Sequence, residues 1–198
     1  SSLASAEQFK KVGAIIRSDA GRRFVVPSAP GKRFDKDTKV TDMLYACYAL
    51  AAEGKDFGRE LRQIEQRYQE IIDGLELKLS LEKEFSLIRE NFAGKAGKDY
   101  AASRGEYLNG IVMANYLGYE FVDAAEVIVF CEDGSFDMDK TTEVLGERLK
   151  DMKNAVIPGF YGALPDGHVI TFSRGGSDVT GSIVAKAIHA DMYENWTD

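Results

Sequence analysis

Apolar residues recur at helical spacing in one segment and in short unbroken runs in the next, and the alternation persists along the chain. Between Ala4 and Arg17 they fall at Phe9, Val12, Ile15 and Ile16, which predicts a helix. Phe24-Val25-Val26, in a segment from Arg23 to Ala29 closed by Pro27 and Pro30, predicts a buried strand. After a polar loop to about Lys39, Thr41 stands where it would cap a helix from Asp42 to Glu53, stopped by Gly54. Gly58 to Leu75 puts Leu61, Ile64, Tyr68, Ile71 and Ile72 on one helical face, and Leu81 to Phe92 repeats the pattern with Phe85 and Ile88. Together they predict a helical hairpin within 55–98 whose reading is packing, the spacing not distinguishing packing within the chain from a partner surface. Asp99 to Leu117 reads as a helix, Tyr119 to Ala124 as a strand, Val127 to Cys131 as extended and Asp139 to Asp151 as a helix. Ala155 to Tyr161 and His168 to Ser173 read as strands joined through Pro165-Asp166-Gly167. Asp178 to Ala190 is a predicted helix, and a last strand is expected from Tyr193 to Thr197. Strands alternating with helices imply an α/β fold, its mostly parallel sheet covered on both faces.

The 198 residues, 44% hydrophobic, suffice for one such domain and are short for two. With 25 basic against 32 acidic residues the net charge is −7. An acidic chain without a basic stripe argues against nucleic acid or an anionic membrane as partner. Lys32, Arg33, Lys36 and Lys39 do cluster, but Asp35 and Asp37 interleave with them, the pattern of a solvated loop. Cys47, Cys131, His168 and His189 have no metal-ligand spacing, so no metal site is expected, and a reduced, cytoplasmic setting is. No apolar run approaches the ~20 residues that cross a bilayer. The chain starts Ser1-Ser2-Leu3 and stops at Asp198, and both ends read as cut.

Chemistry concentrates between His168 and Ala190, where a strand leads through Ser173-Arg174-Gly175-Gly176-Ser177-Asp178 into a helix. Free N–H groups and the positive end of the helix dipole gather there and attract anions. The glycine pair lets backbone approach a ligand, and Arg174 adds a planar fork for a carboxylate or phosphate. Asp178 is out of place beside an anion unless it caps the helix, holds a metal or meets an ammonium group. On local spacing alone, a plain capped helix with a surface arginine weighs equally. The Walker A spacing is absent. Ser28-Ala29 and Gly159-Phe160-Tyr161-Gly162 follow strands, at the edge where open α/β sheets bind ligands. Ser103-Arg104-Gly105-Glu106 lies in or just before a helix, and Glu106 taken alone reads as a solvated helix charge.

In this order the residues resemble the catalytic domain of the aspartate kinases, within the amino-acid kinase family, over nearly the whole chain. Ser1-Ser2 resembles the tail of that family's opening Lys-Phe-Gly-Gly-Thr/Ser-Ser segment, and Phe24 to Ala29 its second strand and loop. Thr41-Asp42 resembles the Thr-Asn/Asp opening its next helix, and Ser103 to Glu106 its Ser-x-Gly-Glu. Ser173 to Thr180 resembles Gly-Arg-Gly-Gly-Ser-Asp-x-Thr with Ser173 in place of the first glycine, and Trp196-Thr197-Asp198 its nucleotide-site Trp-Thr-Asp. The loop at 31–40 and the hairpin look like insertions that some members carry.

The resemblance implies a three-layer α/β/α sandwich and the reaction of ATP with L-aspartate to give 4-phospho-L-aspartate and ADP. That reaction opens the synthesis of lysine, threonine and methionine. ATP with Mg²⁺ is the implied cofactor, and a homo-oligomer the implied state of the parent enzyme. By the same resemblance, Thr41, Glu106, Arg174, Gly175, Gly176 and Ser177 bind substrate. Asp178 and Arg174 are catalytic, and Ser28, Ala29, Thr197 and Asp198 meet the nucleotide. The family's Lys-Phe-Gly-Gly lysine, the rest of its nucleotide pocket and its ACT domains are expected beyond 1–198, so the bare chain is expected to be inactive. A sister kinase acting on glutamate or N-acetylglutamate is an alternative, as is a non-catalytic binding module on the same fold.

Overall fold

Phe24 and Val25 are neighbours in the chain, yet they pack into different hydrophobic cores. Ala155 and Val156 part in the same way. Side chains alternate across a strand, so a sheet apolar on both faces needs a layer on each side. The structure, a computed structural model, describes residues 3–173 and 176–197. Its elements run α1 (Ala6–Arg17), β1 (Phe24–Val25), α2 (Val40–Ala52), α3 (Gly58–Gly74), α4 (Glu82–Ala93), α5 (Lys98–Leu117), β2 (Glu120–Phe121), α6 (Ala124–Val127), α7 (Met138–Leu149), β3 (Ala155–Val156), β4 (Tyr161–Ala163), β5 (Val169–Thr171) and α8 (Gly176–Ala187).

β3 lies between β1 and β2, parallel to both, with Ala155 opposite Phe24 on one side and Glu120 on the other. β4 and β5 form a separate antiparallel hairpin, with Tyr161 opposite Thr171. Helices α1 to α5 build one core against Val25, Phe121 and Val156. Helices α6, α7 and α8 build the other with β4, against Phe24, Val26, Ala155 and Ile157. This is the expected three-layer α/β/α arrangement.

Helix α5 is the hub of the first layer, touching α1 to α4 as well as β2, β3 and β5. It is buried on all sides, so it carries small residues where neighbours come close. A Cβ on Gly105 would stand 2.8 Å from the Ala29 Cβ, and one on Gly110 2.8 Å from the Pro158 Cγ. The residues read as a helical insertion form α3 and α4. Both pack on α2 and α5 within the same core, and the Tyr68 and Phe85 rings lie 6.1 Å apart.

Four local expectations are corrected. Thr41 does not cap α2. The cap position is Lys39, which makes no side-chain bond, and the Val40 N–H donates instead to the Pro30 carbonyl at 3.1 Å. The run from Ala155 to Tyr161 is two strands in two sheets. Pro158 offers no N–H to a ladder, and Phe160 turns the chain with φ of +82°. The strand read at Tyr119 to Ala124 covers Glu120–Phe121 only, because Asp123 caps α6, accepting the Ala125 N–H at 3.0 Å and drawing Val127 into that helix. Residues 193–197 form no strand. Side chains hold them: Glu194 pairs with Arg22 at 2.9 Å, Trp196 donates to Glu194 at 2.8 Å, and the Tyr193 hydroxyl donates to the Asp178 carbonyl at 3.2 Å.

Gly162 in β4 is pressed against the backbone carbonyl of Ile128 so closely that a Cβ has no room. Gly162→Ala is expected to lower stability by about 1–3 kcal/mol, the usual cost of overpacking. Urea unfolding of the two proteins checks this, and equal midpoints would contradict the packing described.

Candidate functional site

Glu106 sits in the middle of α5 and is only 7% exposed. One carboxylate oxygen, Oε2, is buried without a hydrogen-bond partner among the described residues. Desolvation raises its pKa to about 8, opposed by its own N–H, the N–H of Ala29 and the charge of Arg104. The solvated-charge expectation for Glu106 is therefore wrong, because α5 is covered on every side. Asn109, one turn on, is fully buried. Its Nδ2 donates to the Ser28 carbonyl at 2.6 Å, while its Oδ1 is buried without a partner among the described residues. Arg104 is also buried, with its guanidinium carbon 4.2, 4.6 and 5.4 Å from the ring centres of Tyr107, Tyr100 and Tyr161.

Thr41, Ala29 and Gly105 converge beside Glu106. The space a Cβ on Gly105 would take lies 2.8 Å from the Ala29 Cβ and 3.8 Å from the Thr41 Oγ1. Ser28, next to Ala29, lines a cleft of about 930 Å³ that runs along β1 between α1, α7, α8 and residues 189–196, and Ser177, Asp178 and Trp196 line it too. Three chain segments meet at the carboxyl ends of β1 and β3. The Gly159 N–H donates to the Pro27 carbonyl at 3.2 Å, Gly159 packs flat on Ser177, and the Phe160 N–H donates to the Thr180 Oγ1 at 3.0 Å. Ligands bind at this edge in open α/β sheets.

The structure thus brings Ala29 to the Glu106 carboxylate and Thr41 to the adjoining Gly105, and sets Ser28, Ser177 and Asp178 along the cleft. Gly176 opens α8 with φ of +37°, a backbone angle that favours glycine. Thr197 is exposed and outside the cleft lining. Arg174, Gly175 and Asp198 lie outside the described residues, as do Ser1 and Ser2. The N-terminus of a twelve-residue helix favours an anion, and a buried carboxylate with an idle oxygen favours a donor such as an ammonium group. Sequence reasoning missed Asn109. The available signal was its place one turn from Glu106 on a helix made of small and apolar residues on all faces, where a polar side chain must have a partner.

The chain belongs to the amino acid kinase family, whose profile matches residues 1–198. Within that class its relatives are aspartokinases. It is 38% identical over its whole length to aspartokinase 3 of Bacillus subtilis, spanning 47% of that protein. It superposes on the crystal structure of Clostridium acetobutylicum aspartate kinase with a TM-score of 0.97 and 52% identity, covering all of this chain and 46% of that one. Escherichia coli aspartokinase III, solved with lysine and aspartate, shares the fold at a TM-score of 0.81 and 24% identity, over all of this chain and 47% of that one. The chain spans about half the length of the relatives it matches.

The burial of Glu106 has a stability consequence. The unfolded chain releases this proton near the ordinary value of 4.5, whereas the folded chain holds it to about 8. Between those values the folded state binds more protons, so this group's contribution to stability falls as pH rises and levels off above about 8. Glu106→Gln is expected to remove that slope and to gain on the unsubstituted chain by a few kcal/mol at most between pH 5 and 8. Urea unfolding at pH 5, 6.5 and 8 measures it. Parallel losses in the two proteins would mean that Glu106 titrates as a solvated acid.

Proposed function

We propose that this chain is the part of an aspartate kinase catalytic domain that holds L-aspartate and one wall of the nucleotide site. The enzyme would transfer the γ-phosphate of ATP to the aspartate side-chain carboxylate, giving 4-phospho-L-aspartate and ADP. The carrying observation is Glu106, a buried carboxylate with an oxygen unpartnered among the described residues, facing the N–H of Ala29, whose neighbour Ser28 lines the cleft. Similarity to the Bacillus and Clostridium enzymes over the full chain supports the reading.

Glu106 would take the α-ammonium of aspartate, which also excludes N-acylated acids because they leave the carboxylate unpaired. Arg174 would grip a substrate carboxylate through its planar fork. Gly175, Gly176 and Ser177 would present backbone and hydroxyl donors at the α8 N-terminus, and Thr41 a hydroxyl on the opposite side. Asp178 would orient the attacking carboxylate toward the phosphate. Ser28 and Ala29, with Thr197 and Asp198, would meet the nucleotide. Phosphoryl transfer needs little covalent help from protein, so positioning and charge neutralisation carry the rate. Mg²⁺ would come with the nucleotide and neutralise the charge of its phosphates, with Asp178 the carboxylate at hand in the cleft. Residues 1–198 would be one catalytic unit with 55–98 inserted in it, in a cytoplasmic enzyme of lysine, threonine and methionine synthesis that works as a homo-oligomer. Among the described residues no helix is long and apolar enough to cross a membrane.

The test uses the natural full-length protein with Mg-ATP, hydroxylamine and one amino acid at a time, trapping the acyl phosphate as hydroxamate. Product is expected with L-aspartate. Arg174→Ala and Glu106→Ala should each lower kcat/KM for aspartate by about 100-fold or more, as expected for an ion pair lost from a buried site. The KM for aspartate should rise as pH falls from 8 to 6, because the ammonium binds the deprotonated form of Glu106. Product only with glutamate or an N-acylated acid would replace the substrate, and no product with any acid would leave a binding module.

A further inference from the structure

Helix α3 reaches both halves of the ammonium side of the site through two consecutive residues. Arg67 is 4% exposed. Its Nη2 donates to the Gly31 carbonyl at 2.8 Å and its Nη1 to the Thr38 carbonyl at 3.0 Å, so one guanidinium spans the base of the loop between them. Asp37 stands 3.4 Å from the same Nη1. Asp37 also takes Arg33 through Nε at 2.8 Å and Nη2 at 3.1 Å, and Arg33 reaches back to Glu70 of α3 at 3.0 Å. The Arg33 guanidinium beside Asp37 holds its carboxyl far below the usual carboxylate range, so the loop stays charged and paired at any working pH. The loop delivers Val40 and Thr41 directly into α2.

Tyr68 points into the core. It is fully buried, and its hydroxyl donates to the Gly105 carbonyl at 2.7 Å, one residue before Glu106. Burial, and after it the nearby charge of Glu106, raise its pKa well above that of an ordinary phenol, so it remains a donor.

Packing alone does not require these groups. Arg67 buries an Nε without a partner among the described residues, a cost that an apolar residue would avoid. What its fork provides is geometry: the carbonyls of Gly31 and Thr38 held on one rigid plane. We propose that Arg67 and Tyr68 are positioning residues, by which α3 fixes Thr41 and Glu106 relative to each other and so sets affinity for the amino-acid substrate. The inference rests on the reading of Glu106 and Thr41 as substrate-binding residues, and it gives the helices at 55–98 a role beyond packing.

Steady-state kinetics of the full-length protein test it, with Arg67→Lys, Tyr68→Phe and a control, Ile88→Val, in the buried face of α4. Tyr68→Phe keeps the ring in place and so preserves the packing. Both positioning variants are expected to raise the KM for L-aspartate at least about fivefold, with kcat and the KM for ATP within about twofold. The control should lower the unfolding midpoint and leave both KM values unchanged. An unchanged KM for aspartate in both variants, whatever their midpoints, would overturn the inference while the aspartate kinase reading stands. If the unsubstituted protein phosphorylates another amino acid, the same comparison with that acid decides the inference by itself. If it phosphorylates none, the reading and the inference fall together.

Discussion

A carboxylate held in the protein interior, with one oxygen unpartnered among the described residues, is the constraint around which the site is arranged. Glu106 can occupy that place because α5 is wrapped on all sides, and α5 can be wrapped because its contact points are Ala101, Ala102, Ser103, Gly105 and Gly110. Larger residues there would push away Ala29 on one side and Pro158 on the other. The same close packing that lets the helix be central also strips water from the acid. The energetic consequence is a proton retained to about pH 8 unless a cation or strong donor arrives.

The rest of the site follows from how α5 meets the strand ends. Glu106 and Asn109, one helical turn apart, hold successive residues after β1: the carboxylate faces the Ala29 N–H and the amide grips the Ser28 carbonyl. Ser28 lines the cleft with Ser177 and Asp178, while Ala29 lies against Gly105 and Glu106. A buried acceptor for positive charge and a cleft holding a helix N-terminus, which favours negative charge, thereby meet successive residues of the chain. The second core, with α7 and α8 against Ala155 and Ile157, anchors the anion side, as the first core anchors Glu106.

The 31–38 loop shows how charge can be structural without being a binding patch. Its cluster of basic residues reads as solvated, and most of them are exposed. Arg33 nevertheless pairs within the loop and with Glu70, and the one buried arginine that closes the loop, Arg67, comes from α3, well downstream of Thr38.

The sequence by itself determined the α/β class, the long helices and the family. The apolar spacing along α1, α3, α4 and α7 is set locally, and the Ser-x-Gly-Glu, Arg-Gly-Gly-Ser-Asp and Trp-Thr-Asp runs are specific in their order. Strand limits were less legible. Pro158, and Phe160 in the left-handed region, split a continuous apolar run between two sheets, and the side-chain bonds of Glu194 and Tyr193 replaced a ladder at 193–197. Only the tertiary structure decided that Glu106 is buried and that Asn109 and Tyr68 are bound at its flanks. Burial belongs to all the elements that cover a residue, and the elements covering Glu106 come from segments as far apart as Ala29, Thr41 and Tyr68. No window of sequence around residue 106 contains them.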